Sequence, residues 1–346
     1  MARKLAAAET ILAIRPIEGA DAIEVAQVRG WEVVVRKGAF QAGDPVLFIE
    51  VDACLPLSDP RFAFLGERGT KKIGGEAYHV LKTARLRGTY SQGIVFPLAE
   101  FPEADPAAGG ASDETLDKRL GIFVYEPPAP AGMLIRGAFP GWLQKTDAER
   151  VQNIDPELWA QIQADPAGWV PTEKVDGSSA TIWADDGGDL HVAGRNWELS
   201  PEKENAHWAV ARQFVAPHLQ PGQWVQGEVV GPGVQANPLK LTSQRIVLFG
   251  FGTFDAAAPS IKSTSRTPMA QWPDWVRELA APVYDFTLPE SVHEAIDQAE
   301  KLRSIVNPAV AAEGIVWTRA DAIGLPELEN RPVFKSINAA YLAKQK

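Results

Sequence analysis

The first third of the chain contains four short runs in which apolar and polar residues alternate, and this pattern limits the folds open to it. The runs are Thr10–Arg15, Ala22–Arg29, Trp31–Arg36 and Pro45–Glu50. Alternation with a period of two places one face of each strand against a core. Glycines between the runs, such as Gly43, favour tight turns. Short strands at regular spacing with glycine turns predict a small β-barrel.

Length and composition are typical of a globular protein with about two domains. The chain has 346 residues, of which 45% are hydrophobic and 23% are charged, and a domain averages roughly 150 residues. No stretch approaches the roughly 20 apolar residues that span a bilayer. Cys54 is the single cysteine, so no internal disulfide is expected and a cytoplasmic location is predicted.

The charge balance excludes one class of nucleic-acid-binding protein. The 34 basic and 44 acidic residues give a net charge of −10, which argues against binding by bulk charge but leaves a local basic groove open. Basic residues cluster after the alternating runs, at Arg68, Lys71, Lys72, Lys82, Arg85 and Arg87. The cluster predicts a surface that follows phosphates, and the alternative is a solvated charged loop. The candidate nucleic-acid-binding residues are Lys71, Lys72, Arg85 and Arg87.

The N-terminal part of the chain resembles an OB barrel, a fold that binds oligonucleotides; another small β-domain is the alternative. The segment from Glu126 to Gly132 is rich in proline, and such segments act as semi-rigid spacers. We therefore predict an OB-like nucleic-acid-binding domain over residues 1–126, a linker over 127–137 and a second domain over 138–346.

The second domain contains the motif Lys174-Val-Asp-Gly177. Lys-x-Asp-Gly is the nucleophile motif of the covalent nucleotidyltransferases, which comprise ATP- and NAD-dependent ligases and mRNA capping enzymes. Alone it is a weak signal, because a pattern with three fixed positions occurs by chance in roughly one chain in ten of this length. The alternative is a turn with an exposed lysine.

The residues that follow the motif strengthen it by their order. In this superfamily the nucleophile is followed by an arginine or lysine, a strand glutamate, a strand aromatic residue, a second glutamate and a C-terminal lysine. The matching residues here are Arg195, Glu228, Phe251, Glu313 and Lys335. Six matches in one order across a domain are not plausibly accidental.

Three segments resemble RNA ligases in particular. Lys145–Asn153 and Gly227–Pro238 are similar to RNA ligase segments, and Trp31–Asp52 is similar to the OB-like domain of the fifth RNA ligase family. The resemblance implies an α+β fold, in which an OB-like β-barrel precedes a nucleotidyltransferase domain of antiparallel sheets with flanking helices. The alternatives are an ATP-dependent DNA ligase without the usual C-terminal OB domain and a nucleic-acid-binding protein with an inactive ligase domain.

The resemblance also implies a reaction. An ATP-dependent RNA ligase joins a 3′-OH to a 5′-phosphate through lysyl-AMP and AMP-capped RNA, which would serve nick sealing in RNA repair. Lys174 would be the catalytic nucleophile, and the implied nucleotide-binding residues are Glu173, Lys174, Arg195, Glu228, Phe251 and Lys335. A Mg²⁺ or Mn²⁺ ion would be held, through water, by Asp176, Glu228 and Glu313. The expected partner is nicked or broken RNA, in duplex with an RNA or DNA template.

Two expectations concern the reactivity and surroundings of Lys174. A lysine attacks only as the neutral amine, and its ordinary pKa is about 10.4. We expect a divalent cation and Arg195 to lower that pKa by like-charge repulsion. Upstream, Thr146–Glu149 has the spacing of a capping box, which predicts the start of a helix.

Two further expectations concern the nucleotide. Phe249 and Phe251 lie two residues apart, so they are expected on one strand face, and Phe251 is the preferred ring for stacking on adenine. Val333 stands where many ligases carry the first lysine of their last motif. We expect Arg331 or Lys240 to supply the missing phosphate contact.

Overall fold

The computed structural model describes residues 4–104, 115–126 and 133–344. The chain divides into two compact units, of which one comprises Met1–Pro127, Gln152–Asp155 and Ala339–Lys346 and the other Pro128–Val151 and Pro156–Asn338. Most of the predicted linker, residues 127–132, lies outside the described residues.

The described residues up to 126 form short strands and one α-helical turn, which are joined by loops and 3₁₀ turns. They are β1 (Ala6–Thr10), β2 (Ala13–Pro16), β3 (Ile23–Val28), β4 (Trp31–Arg36), β5 (Pro45–Ile49), β6 (Ala53–Pro56), β7 (Lys71–Ile73), β8 (Glu76–Val80), β9 (Ala84–Leu86), β10 (Thr89–Ser91), β11 (Ile94–Pro97), α1 (Leu116–Arg119) and β12 (Phe123–Val124). The run predicted over Thr10–Arg15 is interrupted, because β1 ends at Thr10 and β2 begins at Ala13.

The strands of this unit pair in the orders β1-β5-β11, β2-β3-β4, β12-β6-β8-β7 and β10-β9. All of these pairs are antiparallel. The alternation of apolar and polar residues in β4 matches the burial of every second side chain, since Trp31, Val33 and Val35 are buried. The Trp31 ring packs 6.0 Å from that of Phe48. Its indole Nε1 donates a 2.7 Å hydrogen bond to Asn153 Oδ1, within the same unit.

The rest of the chain alternates strands with short helices. The elements are β13 (Ile135–Ala138), β14 (Glu149–Arg150), α2 (Pro156–Gln163), β15 (Trp169–Glu173), β16 (Ser178–Ala184), β17 (Leu190–Ala193), β18 (Trp197–Leu199), α3 (Ala206–Val210), β19 (Gln223–Val230), β20 (Arg245–Thr253), β21 (Ser265–Arg266), α4 (Asp274–Glu278), α5 (Val292–Glu300), β22 (Gly314–Arg319), β23 (Val333–Ile337) and α6 (Ala339–Leu342). A π-helical turn, Ala211–Val215, continues α3.

Two sheets make up the second unit. The larger has the order β13-β18-β17-β16-β19-β20-β21, and the smaller has the order β14-β23-β22-β15. Every pair is antiparallel except β14 with β23. One face of the larger sheet packs on α3 and the π-helical turn through Trp208, Ala211 and Val215.

The predicted capping box at Thr146–Glu149 does not begin a helix. Residues 146–148 have no regular structure, and Glu149 begins β14. No helix within the described ranges is long and apolar enough to cross a membrane.

Candidate nucleotide and metal site

Lys174 lies between the two sheets of the second unit, directly after β15. Its backbone N–H donates to the Gly314 carbonyl at 3.0 Å, which fixes the lysine beside the start of β22. The turn into β16 passes so close to β19 that a Cβ at Gly177 would lie 2.2 Å from the Val229 carbonyl oxygen. Only glycine fits this approach, which explains the Asp-Gly pair of the motif.

Carboxylates surround the amine of Lys174. Its Nζ lies 2.6 Å from Glu313 Oε1, and the two side chains are 24% and 9% exposed. Burial alone would lower the pKa of Lys174, but the charges of Glu313, Glu228 and Asp176 outweigh burial and raise it. The expectation that Arg195 lowers this pKa is therefore wrong, because Arg195 is not among the groups that shift it and the net shift is upward.

Glu228, on β19, has a raised pKa. Burial raises its pKa to about 8; the charge of Lys174 opposes the rise, and Glu313 and Asp176 add to it. A carboxyl pKa raised this far by burial, beside a lysine and two other acids, is typical of functional sites.

The acids around Lys174 fit a divalent ion only in part. Carboxylate oxygens suit Mg²⁺ and Mn²⁺, and Glu313 Oε2 is buried without a hydrogen-bond partner. Within the described ranges, however, no three His, Cys, Asp or Glu side chains are arranged to hold a metal directly. The acids are thus suited to contact through water, in which bound water completes the ligand set.

Glu173 has a structural contact that the sequence did not predict. The side chain is 2% exposed, and its Oε2 accepts hydrogen bonds from the backbone N–H groups of Ile305 at 2.7 Å and Val306 at 3.0 Å. One carboxylate oxygen therefore holds the 305–306 loop, and Oε1 is left as the buried oxygen without a partner.

A cavity of about 200 Å³ opens over Lys174. Five predicted nucleotide-binding residues line it: Glu173, Lys174, Arg195, Glu228 and Lys335. Phe251 does not; the ring in the wall is that of Phe249. The cavity also contains Val316 and Thr318 of β22, which were not predicted.

A β-bulge explains why Phe249 and Phe251 point to opposite faces. In the β19–β20 pair, Gln226 is opposite Gly250 and Gly227 is opposite Leu248, so Phe249 is an extra residue without a partner in register. The bulge inverts the alternation of side chains. Phe251 is consequently 5% exposed in the core, where its ring lies 6.3 Å from that of Trp275. The preference for Phe251 is corrected to Phe249.

The segment 144–148 forms another wall of the cavity. Arg195 Nη2 donates to Asp147 Oδ1 at 2.8 Å, and Thr146 Oγ1 lies 2.8 Å from Ser179 Oγ. Thr146 and Asp147 were missed as site residues, although the resemblance of Lys145–Asn153 to RNA ligases was a signal that could have found them.

The last motif places two cations in the cavity wall. Arg331 and Lys335 both line it, together with Val333, whereas Lys240 does not. Arg331 Nη1 also donates to the Asp147 carbonyl. Of the two candidates for the missing lysine contact, Arg331 is the one in position.

Arg266 is a cavity residue that no sequence signal indicated. It lines the cavity, and its guanidinium lies 5.6 Å from the Trp224 ring centre. Burial, followed by the nearby charge of Arg331, lowers the pKa of Arg266 to about 10. The group remains charged at neutral pH.

The four basic residues predicted to bind nucleic acid lie on two hairpins of the first unit, and all are exposed. Lys71 and Lys72 are in β7, where Lys71 Nζ lies 3.8 Å from the Tyr125 ring centre. Arg85 is in β9 and lies 5.5 Å from the Tyr90 ring. Arg87 is in the tight turn before β10, with a φ of 49°.

Comparisons with known proteins agree with both halves of this description. Residues 5–98 match the model of an OB-fold domain family, and residues 167–337 match that of the RNA ligase family. A search among curated proteins returned no match.

Solved structures of a Naegleria gruberi RNA ligase are similar to the chain over nearly its full length. A lysine-to-alanine mutant with ATP and Mn is 32% identical with a TM-score of 0.80. A glutamate-to-alanine mutant with AMP and Mn is 33% identical with a TM-score of 0.81. The protein with PPi is 33% identical with a TM-score of 0.79. Each covers 99% of this chain and 99% of the other.

These matches confirm the predicted fold class, in which an OB-fold domain precedes a ligase domain of mainly antiparallel sheets. The chain belongs to the RNA ligase family.

Proposed function

We propose that this RNA ligase activates RNA ends with ATP, through lysyl-AMP formed on Lys174. The observation that carries the proposal is the position of Lys174 Nζ, 2.6 Å from Glu313 Oε1 at the base of a cavity that Arg195 and Lys335 also line. The Naegleria ligase structures that contain ATP or AMP support the choice of nucleotide.

In the first step, Lys174 Nζ attacks the α-phosphorus of ATP, an N–P bond forms, and the bond to the β-phosphate oxygen breaks with release of pyrophosphate. The AMP then passes to the RNA 5′-phosphate, which displaces the lysine. A 3′-OH finally attacks that phosphate, and AMP leaves as the strand closes. Covalent catalysis thus replaces one difficult displacement by easier ones.

Lys174 must shed a proton before it attacks, because its amine is paired with Glu313. Asp176, Glu228 and Glu313 would hold a Mg²⁺ or Mn²⁺ ion through water, and the ion would supply positive charge that offsets the acids which raise the pKa of Lys174. The Mn in the Naegleria structures supports a divalent ion here.

The remaining cavity residues have roles that fit their chemistry. The Phe249 ring stacks on adenine, while Arg195 and Glu228 contact the ribose. Lys335 and Arg331 contact the α-phosphate, because a lysine and the planar fork of an arginine both bind phosphate oxygens well. Glu173 contributes to the nucleotide pocket in two ways. Its Oε2 holds the 305–306 loop, and its Oε1 is a second oxygen that is buried without a hydrogen-bond partner.

The RNA substrate is nicked or broken RNA in duplex with an RNA or DNA template, and the activity would serve RNA repair. Lys71, Lys72, Arg85 and Arg87 support this choice, since they are exposed cations on the OB-fold domain. Two of them lie close to tyrosine rings, and OB folds combine aromatic rings with basic grooves to hold strands.

The test is the sealing of matched nicked duplexes that differ only in the sugar at the 3′-OH side of the nick. We expect rapid sealing when that strand ends in RNA and slow sealing when it ends in DNA. Equal sealing of both, or preference for DNA, would contradict the RNA-repair assignment.

A further inference from the structure

The bulge in β20 leaves the Phe249 backbone outside the strand register. The neighbouring backbone groups have backbone partners. Leu248 N–H donates to the Leu279 carbonyl, and the Leu248 carbonyl accepts from Ala281 N–H, each at 2.7 Å. The Phe251 carbonyl accepts from Thr267 N–H at 2.9 Å. Between them, the Phe249 carbonyl accepts instead from a side chain, Arg266 Nη1, at 3.1 Å. Arg266 thus occupies the gap that the bulge opens in the sheet.

The second terminal nitrogen of the same guanidinium also donates a hydrogen bond. Arg266 Nη2 donates to Gln226 Oε1 at 3.1 Å. Neither contact is a carboxylate, and Arg266 makes no ion pair within the described ranges. The planar fork of arginine presents two donors in a fixed geometry, which a lysine ammonium does not reproduce.

Gln226 links Arg266 by hydrogen bonds to the opposite wall of the cavity. Its Nε2 donates to the Gln144 carbonyl at 2.6 Å and lies 3.4 Å from Thr181 Oγ1. Gln144 begins the segment 144–148, which lines the cavity. An unbroken series of hydrogen bonds therefore joins the Phe249 carbonyl to this segment through Arg266 and Gln226.

Gly250, the residue after Phe249, leaves room for the Arg266 guanidinium because it has no side chain. A Cβ at Gly250 would lie 2.9 Å from Arg266 Nη1, 3.0 Å from Nη2 and 3.1 Å from Cζ. The nearest atoms all belong to the end of the Arg266 side chain, so an alanine here would displace the guanidinium rather than the backbone.

From these contacts we infer that Arg266 is a positioning residue, which holds the bulged Phe249 ring against the nucleotide by tying its carbonyl to Gln226 and the 144–148 segment. The inference rests on the proposed function, because it takes Phe249 as the ring that stacks on adenine. Arg266 itself need not touch the nucleotide.

The test is a double-mutant cycle on the rate of self-adenylylation as a function of ATP concentration. Arg266→Ala is expected to raise KM for ATP by about tenfold with little change in kcat, because Lys174 is untouched. Gly250→Ala is expected to raise KM similarly. In the double variant the second change should add nothing, since the contact it disrupts is already gone.

Two further variants keep the result interpretable. Arg266→Lys retains the charge but not the fork, so its KM should stay well above wild type. Arg277→Ala removes an exposed arginine of α4 that pairs with Asp274, and its KM should match wild type. Melting curves of every variant separate loss of folding from loss of binding, and if Arg266→Ala unfolds, Gly250→Ala and Arg266→Lys carry the test.

The outcomes distinguish the inference from the proposed function. Wild-type KM in a folded Arg266→Ala or Arg266→Lys protein would overturn the inference, as would additive effects in the cycle. A kcat loss at unchanged KM would also overturn it. Absence of labelled AMP on the wild-type protein would instead overturn the proposed function.

Discussion

At the scale of single residues, the charges around Lys174 set the resting state of the site. Glu313 pairs with the lysine, and burial raises the pKa of Glu228 to about 8. The amine of Lys174 must therefore lose a proton before it can act as a nucleophile.

Glu228 should make stability fall with rising pH. Between its ordinary pKa of 4.5 and its folded pKa of about 8, the folded state binds a proton that the unfolded state does not, so stability decreases across this window. The amide side chain of Glu228→Gln does not titrate in this range, so the variant lacks this loss of stability. Between pH 5 and 8 in chelator, the stability of the variant, measured by urea unfolding, should gain on that of wild type by about 3–4 kcal/mol, because each pH unit in this window contributes about 1.4 kcal/mol. A constant difference across this range would contradict the assignment.

At the scale of elements, strand β20 shows how one extra residue places two similar rings on different faces of a sheet. Val247 and the bulged residue Phe249 lie on one face, and Phe251 lies on the other, in the core beneath α4. The two phenylalanines thus form a matched pair for mutation within a single strand.

Phe249→Ala and Phe251→Ala should affect different properties, the first the KM for ATP and the second the stability of the fold. Loss of the Phe249 ring should raise KM for ATP about tenfold or more, because base stacking contributes about 1–3 kcal/mol, with little loss of stability. Loss of the buried Phe251 ring should cost about 3–5 kcal/mol of stability. Self-adenylylation kinetics and urea unfolding check the pair; a reversal of the two effects would show that Phe251 faces the nucleotide.

The same strand shows the limit of sequence prediction. Lys174, Glu228, Glu313 and Lys335 follow a fixed order of motifs, so the sequence predicted that they would be brought together. The position of Phe249 in the cavity wall was not predicted. The assignment to Phe251 depended on a period of two, which the bulge inverts. Arg266 was missed because a contact from a side chain to a bulged carbonyl leaves no periodic pattern.

At the scale of the whole molecule, a net charge of −10 coexists with exposed basic hairpins in the OB-fold domain. The domain order was predictable, because short alternating strands and a motif-rich region occupy separate parts of the chain. The placement of Gln152–Asp155 and α6 in the first compact unit was not. Such placement depends on contacts between residues distant in sequence, including that of Trp31 with Asn153.

The hairpins provide a prediction about RNA binding. Charge reversal of Arg85 and Arg87 to glutamate should weaken binding of a nicked RNA duplex and lower the slope of log affinity against log salt by about two, since two phosphate contacts are lost. Self-adenylylation should be unchanged. Filter binding at several salt concentrations measures the first effect. Equal loss of both activities would assign these residues a structural role.

The central claim is that Lys174 carries AMP, and transfer of label from α-labelled ATP to the protein tests it most directly. In the presence of Mg²⁺ or Mn²⁺, the wild-type protein and the control Lys262→Ala should both become labelled, because Lys262 is exposed and lies outside the cavity. Lys174→Ala should carry no label. An unlabelled wild-type protein, or label retained by Lys174→Ala, would contradict the account.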